Sequence, residues 1–467
     1  MQALNPIFPG WEYIPDGEPH VFGDRVYLYG SHDRFGGESF CMNKYVCWSA
    51  PTNELGNWTC HGLLYDVAND PLNESGEWCG FAPDACKGPD GRYYFFYALN
   101  NDGAISVAVS DTPDGNFKFH GHVKTESGRI YGLQVGDAFC FDPAVLVDDD
   151  GSVHLYIGFS ASGDMPEVYE EHSKKFNCKG AWHIELDSDM LTMKSEPLYI
   201  APGHFSASGT AYEGHGFFEG PSMRKFNGRY YFIYSSENYH ELCYALGDSP
   251  RGPFEYKGVL VSNGDVGIDG RTTPISHTSN NHGSVEKIGE HYYVFYHRHT
   301  NKTMFSRQAC AEKLTMNADG TFDQAEITSC GLNGGPLKAE GEYSARIACN
   351  MSAWVDSPPY LTQTGADREC DDDQYVANLN NDTFVGFKYF DFKGAEKLTV
   401  KVKATSDAKL EVSNELHGKP LAEIELKECD TATEFTANAS FTAGTKALYL
   451  TYRGDGKADL ISIKFYR

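Results

Sequence analysis

Gly91-Arg92-Tyr93-Tyr94-Phe95-Phe96-Tyr97 is the phrase on which the fold turns. A turn-forming glycine precedes one polar residue and then an aromatic run, which packs better on the pleated surface of a strand than along a helix. The phrase recurs at Gly23-Asp24-Arg25-Val26-Tyr27-Leu28-Tyr29, Gly151-Ser152-Val153-His154-Leu155-Tyr156, Gly228-Arg229-Tyr230-Tyr231-Phe232-Ile233-Tyr234 and Gly289-Glu290-His291-Tyr292-Tyr293-Val294-Phe295-Tyr296. Successive glycines stand 68, 60, 77 and 61 residues apart, the signature of an internal repeat. Seven to nine residues before each glycine lies a polar residue: Asp16, Asp84, Asp142, Glu219 and His282. Equivalent positions of a radial repeat converge on one axis, so this row of residues becomes a cluster.

Working outward, a second shared phrase closes the third strand of a repeat, as in Val109-Ser110-Asp111-Thr112-Pro113 and Gly247-Asp248-Ser249-Pro250. Its Pro and Gly residues mark a turn into an outer strand. A repeat of this length with about four strands is a blade, and five blades closing on themselves give a five-bladed β-propeller. The third blade departs from the pattern in its outer half, where Trp182 to Ile200 replaces the Pro-Gly phrase, and insertions lengthen the fourth. After Gly334-Gly335-Pro336 the pattern becomes strict alternation, as in Lys397-Leu398-Thr399-Val400-Lys401-Val402 and Ala447-Leu448-Tyr449-Leu450-Thr451-Tyr452. Such period-2 strands bury one face. The reading is all-β: a propeller over residues 1–335 and a β-sandwich of jelly-roll type over 340–467, with no helix of any length.

A net charge of −26 argues against nucleic acid and anionic membranes as partners. No apolar stretch approaches the ~20 residues of a membrane span. Met1-Gln2-Ala3-Leu4-Asn5-Pro6 has neither the basic nor the apolar region of a secretory signal. The 13 cysteines lack metal-ligand spacing, and a disulfide framework is not expected in a chain this long. The expectation is a reduced, cytoplasmic protein.

Three of the five axial positions carry a carboxylate beside a turn-forming Pro or Gly: Asp16-Gly17-Glu18-Pro19, Asp142-Pro143 and Glu219-Gly220-Pro221. Glycosidic-bond cleavage needs two carboxylates across a pocket, one to protonate the leaving oxygen and one to activate water or attack the sugar. A third acid nearby raises the proton donor's pKa, since like charges resist ionising together. Trp78, Phe141 and Phe218 flank the expected pocket and could stack on a sugar ring or serve the core; His32 has the same two readings. Glu213-Gly214 mimics the pair at Glu219 but lacks the following Pro, which excludes it as the acid.

These motifs, with Phe81-Ala82-Pro83-Asp84, His282-Gly283-Ser284 and Arg307-Gln308-Ala309-Cys310, resemble glycoside hydrolase family 43 over roughly residues 5–330. The resemblance implies a five-bladed propeller that cleaves pentose-containing plant polysaccharides with inversion. It implies Asp16 as general base, Glu219 as general acid and Asp142 as the residue that tunes the acid's pKa. Phe81 stands where the family commonly has Trp, at the sugar platform. His282 falls at an axial position near a calcium or water cluster, and Arg307 where some members contact substrate. No cofactor is required on this reading, although a structural calcium belongs to the family pattern. The usual Asp-Pro of the first motif is replaced here by Asp16-Gly17-Glu18-Pro19. Asp16 lies at the family's interval before Asp24, and Glu18 stays as the second candidate for the base. Asp84 reads as an organiser of its blade or of the pocket. In an inverting enzyme the base and acid carboxyls stand about 6.5–9.5 Å apart.

The C-terminal part resembles family 6-like carbohydrate-binding modules, with Trp354, Tyr360 and Tyr375 as candidate sugar-binding aromatics and a purely structural role as the alternative. The composite reading is an inverting exo-glycosidase that removes α-L-arabinofuranosyl or β-D-xylosyl residues from short oligosaccharides. The insertions Gly62 to Gly80 and Ser162 to Gly180 are expected to wall off its pocket. The competing readings are an endo-arabinanase with an open groove and a catalytically silent sugar-binding propeller. Arabinose versus xylose, linkage and oligomeric state stay open.

Overall fold

A computed structural model describes residues 1–467 apart from 101–102, 370–373, 395–396 and 467. In the decisive phrase, strand Tyr93–Leu99 is covered on both faces. Tyr94, Phe96 and Ala98 turn into a core shared with the following blade, and Phe95, Tyr97 and Leu99 into one shared with the preceding blade. Strand alternation thus sends successive side chains to two different cores, which is why the run is aromatic without interruption. Tyr230, Phe232 and Tyr234 divide from Tyr231 and Ile233 in the same way. Each fully buried aromatic of this kind contributes about 1.5–3 kcal/mol, so the repeat phrase holds the ring together.

Blade one comprises Glu18–Phe22, Arg25–Tyr29, Tyr45–Pro51 and Thr59–Tyr65, and blade two Gly80–Lys87, Tyr93–Leu99, Ile105–Ser110 and Lys118–His122. Blade three runs Ala144–Val147, Val153–Gly158, Gly180–Leu186 and Leu198–Pro202, and blade four Phe217–Phe226, Arg229–Ser236, Glu241–Gly247 and Glu255–Ser262. Blade five has three strands, Val285–Ile288, His291–His299 and Arg307–Leu314. All strands within a blade pair antiparallel in sequence order from the axis outward. The chain's first residues supply what blade five lacks. Ile7 N–H donates to the Ala309 carbonyl at 3.0 Å, and the Asn5 side-chain amide both donates to and accepts from the Ala311 backbone at 3.0 Å. On the axis, Gly17 bridges Gly283, so blades one and five also close at the centre.

Two expectations change. Blade three is complete, because residues 180–202 form two regular outer strands without the Pro-Gly phrase. One eight-residue helix exists, Pro166–Ser173, within the second long insertion; none of its residues is buried, so it leaves no amphipathic stripe to read.

Beyond Leu337 two six-stranded sheets face each other. One contains Phe384–Phe392, Gly444–Arg453 and Ala408–Ser413, the other Tyr375–Leu379, Ala458–Tyr466 and Lys397–Ala404. Phe387, Leu410 and Leu448 from the first meet Val376, Val400 and Ile463 from the second in one core. This sandwich is docked on the propeller through polar contacts. Lys388 Nζ lies 2.7 Å from Asp265 and 2.8 Å from Glu326, Arg368 pairs with Glu12 at 2.6 Å, and Tyr13 donates to Gln363 at 2.6 Å. The twelve described cysteines are free thiols, and Cys370 lies outside the described residues. No helix among the described residues is long and apolar enough to cross a membrane.

Candidate active site

The axial residues are presented in two ways. In blades one, three and five the inner strand begins just after them: at Glu18 after Asp16, at Ala144 after Asp142, at Val285 after His282. In blades two and four they lie within the strand, and the pairing register slips around them, between Phe81 and Asp84 and on both sides of Glu219. A bulge of this sort re-aims a side chain out of the sheet's regular alternation. Asp16 and Asp142 have φ of 57° and 45°, a left-handed backbone that Asp tolerates better than most residues and that tends to occur at functional sites. Gly220, at φ 63°, has no substitute: a Cβ there would come within 2.8 Å of the His282 ring. The Glu219-Gly220 pair is therefore a packing requirement of the axis.

Four of the five axial residues meet in a cavity of about 550 Å³ that Asp84 does not line, within the range of small-molecule sites. Asp16, Asp142, Glu219 and His282 form its floor. One wall is aromatic: Phe81, Phe141 and Phe218 line it, with Phe141 and Phe218 bridged by Phe159 at ring-centroid distances of 6.0 and 5.5 Å. Polar side chains line the cavity as well, from Thr278, Ser279, Asn280 and Arg307. A lining that combines aromatic surface with hydrogen-bonding groups suits a sugar ring.

Asp16 accepts a hydrogen bond from Arg307 Nη1 at 2.9 Å. The rest of that guanidinium is fixed by Asp33, which takes Nε at 2.9 Å and Nη2 at 3.0 Å, and the Phe40 ring lies 4.8 Å from its centre. Arg307 is 2% exposed, so it acts on Asp16 from within the wall. Glu219 is pushed up to about 7, first by burial and then by the Asp16 charge, while the Asn280 amide donates to it. Asp142 is raised well above the carboxylate range by burial, Glu219 and Asp16, and accepts the backbone N–H of Gly220. His282 Nδ1 lies 3.9 Å from Asp16 and 3.8 Å from Asp142, and burial lowers its pKa, so the ring is neutral. Three carboxyls and one guanidinium share a buried floor, and the crowding leaves Glu219 able to hold a proton near neutrality.

Residues 3–322 match the model of glycosyl hydrolases family 43. The chain belongs to glycosyl hydrolase family 43. A xylosidase/arabinosidase of Thermoclostridium stercorarium is 45% identical over 99% of this chain and 98% of its own length. Among solved structures, a family 43 β-xylosidase/α-arabinofuranosidase from a compost microbial metagenome, in complex with xylotriose and described as a calcium-free form, is 29% identical with a TM-score of 0.53; the match covers 70% of this chain and 98% of that one. An arabinoxylan arabinofuranohydrolase of Bacillus subtilis shares the fold over 99% of this chain and 97% of its own, at 22% identity and a TM-score of 0.54.

In this family 43 chain a second tier of polar residues lies further along the same inner strands and is joined by Asp84, the axial residue of blade two. Glu18, His20, Asp84, Ser222, Arg224, Ser284 and Glu286 fill the axis beneath the pocket. Arg224 Nη2 donates to Glu18 at 2.6 Å and to the Pro19 carbonyl at 3.0 Å, Ser222 donates to Glu18 at 3.0 Å, and His20 pairs with Asp84 at 2.6 Å. Asp84 also accepts Val145 N–H at 2.8 Å, tying blade two to blade three. A calcium ion takes about six to eight oxygen ligands. Around His282 the carboxyl oxygens are those of Asp16 and Asp142, and in the tier below Glu18 Oε2 and Ser222 are committed to Arg224 and to each other, which leaves Glu18 Oε1 as the one buried oxygen there without a protein partner among the described residues. Glu18, His20 and Asp84 lie close enough to share an ion, but this is a small, nitrogen-containing set beside a guanidinium. The donors do not fit calcium.

The structure brings Asp16, Asp142, Glu219, Phe81, Phe141, Phe218, His282 and Arg307 into one cavity. Glu18, the rival for the base, does not line it. Trp78 sits half-buried against the core between blades one and two. His32 is a core residue, bonded to Glu12 at 2.8 Å and to the Lys44 carbonyl at 2.6 Å. Of the two insertions expected to wall the pocket, only the second reaches it, through Met165. Phe40, Asn280 and Met304 line the cavity without having been singled out from sequence, and Trp354 reaches it from the sandwich. They lie outside the repeated phrases, so periodicity carries no signal for them. The buried Asn280 Oδ1 has no partner within the protein, which suits it to a substrate hydroxyl.

Proposed function

We propose that this chain is an inverting, exo-acting glycosidase that releases terminal α-L-arabinofuranosyl or β-D-xylosyl residues from short oligosaccharides. The observation that carries the reading is the floor of the pocket, where Glu219 is held up at about 7 beside Asp16. In the mechanism a water lies between Asp16 and the anomeric carbon. Asp16 takes its proton as the oxygen attacks, and Glu219 gives its own proton to the departing glycosidic oxygen. Asp142, bonded to Gly220 N–H, holds the Glu219 segment in place. The aromatic wall receives the apolar face of the pentosyl ring, and Asn280 receives a hydroxyl. The proton transfers are carried by Asp16 and Glu219 alone, and Arg224 places a positive charge on the axis beneath the pocket. The twelve described cysteines are unpaired, which supports a reducing compartment and the reading of a cytoplasmic enzyme acting on imported oligosaccharides.

The test is turnover of 4-nitrophenyl α-L-arabinofuranoside and β-D-xyloside, with the anomer first formed from the matching disaccharide read by proton NMR. Release of the inverted sugar is the expected result. Failure to cleave either glycoside would remove the catalytic reading, and a product of retained configuration would remove Asp16 as base.

A further inference from the structure

Of the six tryptophans only Trp354 is exposed, at 69%, and it stands at the mouth of the catalytic cavity although it belongs to the C-terminal sandwich. A single exposed apolar side chain is ordinary, but Trp354 and Met304 are both exposed and both line one cavity, which marks a surface for a ligand. The loop that carries it is clamped to the propeller at both ends. Met351 N–H donates to the Ile275 carbonyl at 2.9 Å, and His277 Nε2 donates to the Pro359 carbonyl at 2.8 Å. Those anchors lead directly into Thr278, Ser279 and Asn280 of the polar lining. The sandwich also grips a second loop of the lining. Asp367 accepts Phe35 N–H at 2.7 Å and Asn43 Nδ2 at 2.9 Å, holding both ends of the loop that presents Phe40. Met304, 42% exposed, lines the same cavity.

From floor to mouth the cavity passes from buried carboxyls to exposed apolar side chains. The sugar that is cleaved off occupies the floor, so the group that departs extends toward the mouth. We infer that Trp354 is a specificity-determining residue of the C-terminal domain, stacking on the first sugar of the leaving group, with Phe40 and Met304 completing that subsite. The inference rests on the glycosidase reading above. The preferred leaving group is accordingly another sugar ring, and the sandwich is part of the active site.

The experiment uses the full chain and its Trp354→Ala and Trp354→Phe variants. Each is assayed on whichever of xylobiose and arabinobiose the unaltered enzyme cleaves, and on the matching pentosyl fluoride, whose leaving group reaches no rim. Trp354→Ala is expected to raise KM for the disaccharide about tenfold, with kcat and all fluoride kinetics unchanged, and Trp354→Phe to restore most of the loss. Equal losses on both substrates, or no loss on the disaccharide, would overturn the assignment. If the unaltered enzyme cleaves neither substrate, the glycosidase reading itself falls, an outcome distinct from both.

Discussion

The axis of the propeller carries two tiers of buried acid on the same strands, and their chemistry differs. In the upper tier Asp16, Asp142 and Glu219 crowd an open cavity with one guanidinium, that of Arg307, among them. In the lower tier Glu18, Asp84 and Glu286 are sealed from the cavity, with Arg224 and His20 between them. Burial raises Glu219 to about 7 and Glu18 to about 8. A shifted carboxyl therefore does not by itself mark catalysis. What separates the tiers is access and partnership: Glu219 faces space large enough for a sugar, whereas Glu18 faces a guanidinium at 2.6 Å.

Substitutions in the two tiers should break differently. The largest effect is expected from Asp16→Asn and Glu219→Gln, each lowering kcat on the cleaved disaccharide by ~10²–10⁴ while leaving the melting temperature near that of the parent chain. Glu18→Gln, two residues from Asp16, should do the reverse. It replaces the Arg224 contact by that of a neutral amide while Glu286 and Asp84 stay near the guanidinium, costing about 1–3 kcal/mol of stability by denaturant unfolding, with kcat per folded molecule retained. Full activity in Asp16→Asn, or loss of activity in a stable Glu18→Gln, would merge the tiers.

Acidity sharpens the contrast. Glu219 works protonated, and its pKa in the folded enzyme is raised, so the fraction of Glu219 able to donate is high below about 7 and lost as pH rises through it. A profile of kcat/KM should fall on its alkaline side in that region. The smallest effect concerns the lower tier: dialysis against EDTA is expected to leave both activity and melting temperature unchanged, since Arg224 already neutralises the axis.

Much of the upper tier was legible in the sequence because the repeat phrase gives it a register. Asp16, Asp84, Asp142, Glu219 and His282 occupy one slot of one motif, and the fold brings all but Asp84, which pairs with His20 in the lower tier, to the cavity. The choice between Asp16 and Glu18 was harder, since both precede the first phrase at plausible intervals. The structure separates them by two residues of strand: one side chain reaches the cavity, the next the Arg224 chamber. The mouth was not legible. Phe40, Met304 and Trp354 lie in loops outside the repeat, and their meeting depends on how the sandwich docks through Asp367, Met351 and His277. Trp354 was visible as a sugar-binding aromatic, but periodicity could not say that its sugar lies in the catalytic cavity. Helix Pro166–Ser173 escaped for a related reason, since a helix that buries nothing has no stripe.

The central claim is that crowding in the upper tier makes Glu219 the proton donor at neutral pH. It is tested most directly by the pH dependence of kcat/KM for a dinitrophenyl pentoside, whose leaving group needs no proton, beside that for the disaccharide, in the parent chain and in Glu219→Gln. The account predicts that Glu219→Gln still cleaves the activated glycoside, without the alkaline fall near 7, while disaccharide cleavage is lost. Persistence of that fall in Glu219→Gln, or undiminished cleavage of the disaccharide, would contradict it.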